Sequence, residues 1–195
     1  MTRRRPARTR LPSPPGDLAI GIMGGSFDPP HSGHAHVIEA ARRAAGLDRV
    51  WVLVSPGNPL KKTQTALVDR LAAARHRLGT RYTIHTLRRL KKLAPHARFV
   101  WIMGADNLRD FHRWKNWREI AALVPIIVIA RPGANPKAGL SRFARQFAAH
   151  RLPQSAARTL STHTAPAWVY ISAPLDPVSS TELRAKMHGA AILPM

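Results

Sequence analysis

The sequence predicts a single α/β domain with a Rossmann-like, open and mostly parallel sheet that carries helices on both faces. Short apolar runs alternate with amphipathic segments, which is the pattern of successive strand–helix units in a parallel sheet. The length of 195 residues and the hydrophobic content of 45% suit one domain with a substantial core. Residues 1–17 are rich in Arg and Pro and are predicted to be a disordered tail, so the domain is expected at residues 18–195.

Five apolar runs predict the strands of this sheet, at residues 19–23, 49–55, 98–103, 125–130 and 168–172. Between them the spacing of apolar residues predicts helices. One starts at His34, and the others cover residues 67–77, 83–93, 108–111, 117–123, 141–150 and 180–188. In the segment 83–93, for example, Ile84, Leu87 and Leu90 lie on one helix face.

Composition excludes several classes of site and leaves the partner open. The chain has no cysteine, so disulfides, zinc–thiolate centres and cysteine nucleophiles are excluded. No apolar run approaches the roughly 18 residues of a membrane span, and a cytoplasmic location without membrane contact is predicted. The formal charge of +21 indicates either a basic surface or attraction to polyanions such as RNA. Because charge alone names no ligand, nucleic acid is not the predicted partner.

The segment at residues 24–34 reads Gly-Gly-Ser-Phe-Asp-Pro-Pro-His-Ser-Gly-His and joins a predicted strand to a predicted helix. A helix start offers unpaired N–H groups and the positive end of the helix dipole, where phosphates bind. His31 and His34 are three residues apart and share one face of a helix. Gly24 and Gly25 allow the backbone to approach a ligand closely. The segment therefore predicts a phosphate site with two imidazoles directed into it.

Other interpretations of these residues remain open from the sequence. Zinc binding by His31 and His34 would need four ligands in a closed site, and His36 and Asp28 do not fit such a set by spacing, so no metal site is predicted. Glycines also occur in strand-to-helix turns for steric reasons alone. Phe27 is equally consistent with a place in the core.

A second motif, Val-Ser-Ser-Thr-Glu-Leu-Arg at residues 178–184, makes the first one specific. The pair resembles the two signatures of the nucleotidylyltransferase superfamily, His-x-Gly-His and Ile-Ser-Ser-Thr-x-x-Arg. Gly-Ala-Asp-Asn at residues 104–107 and the stretch 111–117 are most similar to the bacterial nicotinate-nucleotide adenylyltransferases. The resemblance extends from about residue 19 to residue 184. It implies transfer of the adenylyl group of ATP to nicotinate mononucleotide in NAD biosynthesis.

The resemblance also implies the site residues for ATP. They are Gly24, Gly25, Ser26, Phe27, His31, His34, Gly104, Asp106, Ser179, Ser180, Thr181 and Arg184. Three of them are expected to be catalytic, with His31 and His34 on the triphosphate and Arg184 on the leaving pyrophosphate. From the residues alone, Asp106 is as well explained as a helix N-cap, and the second motif as an ordinary cap followed by a solvated arginine.

Six further residues are implied for the mononucleotide: Asn58, Lys61, Tyr82, Thr83, Trp114 and Lys115. In the resembling family, a Trp at the position of Trp114 stacks on the nicotinate ring and a Thr at the position of Thr83 reaches the carboxylate. One of Trp114 and Trp117 is expected in the core. Mg²⁺ is expected as a cofactor on the substrate phosphates, where it keeps most of its waters.

Two alternatives accompany this prediction: another nucleotidylyltransferase, such as a phosphopantetheine adenylyltransferase, and a non-catalytic basic RNA-binding relative. The first family usually has Thr in place of His31. The chain also departs from the pattern that it resembles, because residues 75–82 contain no apolar segment long enough for the usual further strand, and His85 replaces an Asp. We therefore expect the sheet to lack one edge strand, which leaves the strand at residues 50–54 exposed or covered by a partner, including a second copy of the chain.

Overall fold

The computed structural model describes residues 16–25, 27, 32–54, 82–130 and 141–172. Six strands form one sheet in the order β2-β1-β3-β4-β6-β5, and every pairing is parallel. The strands are β1 (Ala19–Gly25), β2 (Arg49–Val54), β3 (Arg98–Gly104), β4 (Ile126–Ile129), β5 (Arg151–Leu152) and β6 (Trp168–Ile171). The predicted fold class is confirmed, as are the five predicted strands. The predicted helices at residues 67–77 and 180–188, and the tail as far as residue 15, lie outside the described residues.

In the described parts of the chain, five α-helices lie between these strands: α1 (Ser32–Ala44), α2 (Thr83–Leu93), α3 (Ala105–Asp110), α4 (Trp117–Leu123) and α5 (Arg142–Gln146). Three 3-10 segments accompany them, at Phe111–Arg113, Ala148–His150 and Gln154–Thr162. The bounds predicted for α2 and α4 are confirmed, whereas α1 starts two residues before His34 and α3 starts at Ala105. Of the helices described, none is long and apolar enough to cross a membrane.

The segment after β4 differs most from the prediction. In place of one helix over residues 141–150, Ser141 caps a short α5, its Oγ accepting a hydrogen bond from the Ala144 N–H at 3.2 Å. A 3-10 turn and the two-residue strand β5 follow, and neither they nor the 3-10 segment Gln154–Thr162 was predicted. A strand of two residues shows no alternation, and only Ala157 and Leu160 are buried in the long 3-10 segment, so apolar periodicity could not reveal them.

The two faces of the sheet bury different kinds of side chain. α1 and the segment Gln154–Thr162 cover an aliphatic face, and α2 to α5 cover an aromatic face. The aliphatic face contains Met23, Val37, Ala41, Val100, Ile102, Ile127, Ile129, Val169 and Ile171. The aromatic face contains Trp51, Phe99, Trp101, Phe111, Trp117, Phe143 and Trp168. Because successive strand residues point to opposite sides, each strand except the two-residue β5 contributes to both cores.

β2 lies at one edge of the described sheet and β5 at the other. The edge position of β2 agrees with the expectation for residues 50–54. The segment 75–81, from which a further strand is expected to be missing, lies outside the described residues, so that part of the prediction stays a prediction.

Candidate active site

The order of the sheet changes direction at β1, because β2 pairs with one side of β1 and β3 pairs with the other. In open α/β sheets ligands bind beyond the carboxyl ends of the strands at such a switch point. The pairing of Met23 with Ile102 sets the ends of β1 and β3 side by side, so Gly25 lies next to Gly104. We call the space beyond these two strand ends the switch-point crevice.

On one side of the crevice, the first turn of α1 presents His34. The helix begins at Ser32, and its third residue is His34, whose half-buried ring lies 4.8 Å from the Phe27 ring, centroid to centroid, at an angle of 47°. Phe27 is only 3% exposed and belongs to the aliphatic core. The core therefore holds an imidazole at a helix start, where N–H groups and the helix dipole favour an anion.

The backbone of Phe27 is strained. Its φ is +45°, in the left-handed region that bulky residues rarely adopt, and such a conformation costs on the order of 1–3 kcal/mol. Strained residues of this kind cluster at ligand sites, where the surrounding structure holds them. The interpretation of Phe27 as a core residue is confirmed by its burial. The Phe27 ring packs against the His34 ring at the start of α1.

Packing within the protein explains why glycines occupy the end of β1. A Cβ at Gly24 would lie 2.6 Å from Cη2 of Trp101, and a Cβ at Gly25 would lie 3.1 Å from Cε2 of Phe27. The steric interpretation that the sequence left open therefore holds for Gly24, where any side chain would collide with an indole ring. We refer to Gly24, Gly25, Phe27 and His34 as the His34 side of the crevice.

Asp106 lies in the first turn of α3, directly after the end of β3. The N-cap residue of α3 is Gly104, without a side-chain cap, and Asp106 lies exposed in the first turn. The interpretation of Asp106 as the N-cap is therefore wrong. Its carboxylate lies near the carboxyl end of the strand that neighbours β1.

The opposite side of the crevice is built by α2 and by the residues after the segment Phe111–Arg113. The Nζ of Lys115 lies 4.6 Å from the centre of the Tyr82 ring, so two segments about 30 residues apart meet here. Tyr82 and Trp114 are partly buried and pack on the aromatic core, whereas Trp117 is 6% exposed and belongs to it. The structure thus places Trp117 in the core, as expected for one of the two, and leaves Trp114 partly exposed at its margin. We refer to Tyr82, Thr83, Trp114 and Lys115 as the Trp114 side.

The start of α2 faces the same edge of the sheet as the strand ends. A four-residue connection joins the end of α2 to β3, so α2 runs antiparallel to the strands and Thr83 lies at the carboxyl edge. No side-chain hydrogen bond caps this helix start at Tyr82. Backbone N–H groups and the positive end of the dipole are therefore directed toward Trp114 and Lys115.

An ion pair joins α2, which begins at Thr83, to α4, which follows Lys115 in the chain. Arg88 of α2 donates to Glu119 of α4, and Asn116 donates to the other carboxylate oxygen at 3.0 Å. These hydrogen bonds, first that from Arg88 and then that from Asn116, lower the pKa of Glu119 below its ordinary value. The carboxylate stays ionised across the neutral range, which keeps α2 and α4 joined.

Comparison with known proteins now gives the family. The model of the cytidylyltransferase-like family matches residues 22–186. A probable nicotinate-nucleotide adenylyltransferase of Ruegeria sp. (strain TM1040) is 48% identical over 182 residues, which cover 86% of this chain and 96% of the relative. One from Agrobacterium fabrum (strain C58) is 46% identical over 183 residues, covering 86% and 98%. The chain belongs to the nicotinate-nucleotide adenylyltransferases of the cytidylyltransferase-like family.

A solved structure shares the fold of this adenylyltransferase family member. Plasmodium falciparum nicotinic acid mononucleotide adenylyltransferase complexed with NaAD superposes with a TM-score of 0.57 at 19% identity, covering 86% of this chain and 83% of the other. At that identity the likeness extends to the fold alone, which agrees with the sheet order found here.

Ten of the eighteen site residues that the sequence predicts lie in the described part of the adenylyltransferase. The His34 side, the Trp114 side, Gly104 and Asp106 all lie at the carboxyl edge of the sheet. The other eight, Ser26, His31, Asn58, Lys61, Ser179, Ser180, Thr181 and Arg184, lie outside the described residues. Sequence reasoning missed Trp101, whose ring occupies the space above Gly24. A large residue on the neighbouring strand, on the same face as a glycine and diagonal to it, is the signal for such a contact, but it requires the register of β1 and β3.

Proposed function

We propose that the chain joins nicotinate mononucleotide to ATP, giving nicotinate adenine dinucleotide and pyrophosphate. The observation that carries this proposal is the switch-point crevice, where a histidine at a helix start and an aromatic, cationic surface lie at one edge of the sheet. The first suits the phosphates of a nucleotide, and the second suits a flat aromatic acid. Identities of 46–48% to relatives that the chain spans almost entirely support the same activity.

The reaction needs no general base. The phosphate of the mononucleotide has a second pKa of about 6, so it is already ionised near neutral pH. One of its oxygens attacks the α-phosphorus of ATP in line, the new P–O bond forms, and the bond to the bridging oxygen of the pyrophosphate breaks. The electron pair of that bond leaves with pyrophosphate. The protein's contribution is to position the two phosphates and stabilise the developing charge.

On the His34 side, we propose that His34 and His31 donate hydrogen bonds to the triphosphate, with the first N–H groups of α1 beside them. Arg184, Ser180 and Thr181 hold the leaving pyrophosphate, an assignment that rests on the motif alone. Arginine suits this role because its guanidinium forms two parallel hydrogen bonds with phosphate oxygens. Gly104 and Asp106 lie where the ribose hydroxyls of ATP would be received.

On the Trp114 side, the nicotinate ring stacks on Trp114, and its carboxylate is held near Thr83, the start of α2 and Lys115. Two observations support this arrangement. The ammonium of Lys115 lies 4.6 Å from the centre of the Tyr82 ring, within reach of an anion bound at Thr83. The uncapped start of α2 adds a positive dipole end. Asn58 and Lys61 would reach the phosphate of the mononucleotide.

Mg²⁺ enters this proposal with the substrate. The ion prefers oxygen ligands and usually keeps several waters when it binds phosphates. Within the described ranges, no group of three His, Asp or Glu side chains could hold a metal ion. We propose that the ion is carried on the phosphate oxygens of ATP, where it neutralises charge on the leaving group.

The experiment that tests the function is incubation of the full chain with ATP and Mg²⁺ and, separately, nicotinate mononucleotide, nicotinamide mononucleotide or phosphopantetheine. We expect pyrophosphate release and nicotinate adenine dinucleotide with the first acceptor. Release with phosphopantetheine alone would instead identify another adenylyltransferase. No release with any acceptor would contradict the proposal.

A further inference from the structure

One buried ring connects the two sides of the switch-point crevice. The atoms nearest to a Cβ built on Gly24 are Cη2, Cζ2 and Cζ3 of Trp101, at 2.6, 3.4 and 3.5 Å. The same indole meets the Trp114 ring edge to face, with centroids 6.1 Å apart and an angle of 82°. Trp101 therefore extends from the end of β1 to the aromatic surface on the other side of the crevice.

Among the described residues, packing alone sets the position of this ring. Trp101 is 2% exposed, its Nε1 is buried, and none of the described residues accepts a hydrogen bond from it. Protein cores are close-packed, so a displacement of one wall moves the ring toward the other. A shift of the Gly24 backbone is consequently transmitted to Trp114, and the reverse holds as well.

We propose that Trp101 is a positioning residue that sets the separation between the His34 side and the Trp114 side. The inference rests on the proposed function, because the two sides hold the two substrates whose phosphates must meet. Trp101 itself contacts neither reacting atom. Its effect is geometric: a misplacement of about 1 Å between reacting groups can lower the rate about a hundredfold.

The first test is kinetic and compares Trp101→Phe with Trp51→Phe. Both tryptophans neighbour Ile22 in the sheet, one on each side, and both belong to the aromatic core. Trp51 packs on Phe99 instead of Trp114, with centroids 6.0 Å apart. Both side chains are buried indoles, 2% and 7% exposed, and Trp101 is the one that contacts the crevice. A phenyl ring at position 101 is too small to touch Gly24 and Trp114 together, and its introduction breaks no hydrogen bond among the described residues.

We expect Trp101→Phe to lower kcat about tenfold to a hundredfold. The KM values for ATP and for nicotinate mononucleotide should each stay within about threefold, since each side still binds its own substrate. Trp51→Phe should leave kcat unchanged. Full kcat in Trp101→Phe would overturn the inference, as would a loss of kcat in both variants that follows their loss of thermal stability.

The second test does not depend on activity. In ¹⁵N-tryptophan-labelled protein, Gly24→Ala should shift the indole N–H resonance of Trp114, because the added methyl displaces Trp101. In a Trp101→Phe background, the same substitution should leave that resonance in place. If Gly24→Ala does not fold, Trp101→Phe alone should shift the Trp114 resonance and Trp51→Phe should not.

These two measurements separate the two proposals. A chain that forms no nicotinate adenine dinucleotide contradicts the proposed function, while the resonance experiment still decides whether Trp101 couples the two sides. A Trp114 resonance that ignores Gly24→Ala in the native background overturns the coupling whatever the activity.

Discussion

The two sides of the switch-point crevice are built by different means. The His34 side consists mainly of backbone: the end of β1, Phe27 with its φ of +45°, and the start of α1. One imidazole, that of His34, packs against the ring of Phe27. The Trp114 side consists mainly of aromatic rings. The Trp114 ring packs edge to face on both Trp101 and Phe111, and the ammonium of Lys115 lies over the Tyr82 ring. The difference follows from the ligands each side suits, since N–H groups and imidazoles bind phosphate and flat apolar area binds an aromatic ring.

This difference predicts which kinetic constant each side controls. Charge develops on the phosphates during the reaction, so a group on the His34 side acts in the transition state and its loss lowers kcat. The nicotinate ring does not react, so a group on the Trp114 side contributes mainly to ground-state binding and its loss raises KM. Substitutions on the two sides test whether kcat and KM respond in this way.

The largest effect is expected for His34→Ala. Removal of one donor that stabilises transition-state charge typically lowers kcat about a hundredfold to a thousandfold. Pyrophosphate release under saturating substrates measures the change, and circular dichroism shows whether the fold is kept. His36→Ala is the matched control, because two residues along α1 place that side chain about 200° around the helix. Near-normal turnover in His34→Ala would remove His34 from the mechanism.

Next in size is Trp114→Leu. Aromatic stacking on a base contributes about 1–3 kcal/mol, so we expect the KM for nicotinate mononucleotide to rise about fivefold to a hundredfold while the KM for ATP changes little. Steady-state kinetics with each substrate varied in turn measures the split. Trp117→Phe is the control, since this residue belongs to the core and should affect thermal stability rather than one KM. Equal rises in both KM values would argue against a specific stack on Trp114.

A smaller effect is expected for Lys115→Met, which keeps the length of the side chain and removes its charge. An exposed ion pair contributes about 0.2–1 kcal/mol, so the preference for the acid over the amide mononucleotide should fall by up to about fivefold. The ratio of kcat/KM for the two acceptors measures it, and added salt should reduce the native preference in the same direction. Arg113→Met removes an exposed cation two residues away and serves as control. A preference unchanged in Lys115→Met would assign the selection to the start of α2.

The same comparison explains what the sequence could predict. The His34 side is local: strand end, glycines and histidines lie within residues 19–34, so periodicity and helix-start chemistry predicted it. The Trp114 side unites Tyr82 with Lys115, and the contact of Trp101 with Gly24 joins β3 to β1, so both depend on register and packing. The resemblance named Tyr82, Trp114 and Lys115, but nothing in the pattern indicated Trp101. The short strand β5 was not predicted because two residues are too few to show an alternation of apolar and polar side chains.

The smallest effects concern stability at low pH, and they come from two glutamates on helices next to the two sides: Glu39 on α1, which carries His34, and Glu119 on α4, which pairs with α2. Hydrogen bonds from Arg42 and then Arg43 lower the pKa of Glu39 in α1 to about 2 from its ordinary value of 4.5. The hydrogen bond from Arg88 of α2 likewise lowers the pKa of Glu119 of α4 below its ordinary value. In both cases the folded pKa is depressed, so the unfolded chain binds more protons as pH falls below 4.5, and the stabilisation present above that pH is lost on acidification.

We therefore expect Glu39→Gln and Glu119→Gln each to flatten the fall of Tm between about pH 5 and pH 2.5. The change should be larger for Glu39→Gln, because the pH dependence follows the size of the pKa depression, and the pKa of Glu39 falls to about 2. Tm measured across that range at low salt decides the order. Asp17→Asn is a useful control, since Asp17 is largely exposed beside Arg98 and lies outside both sides of the crevice. A flatter curve for Glu119→Gln than for Glu39→Gln would show that the ion pair between α2 and α4 depends on pH more strongly than the pKa shifts indicate.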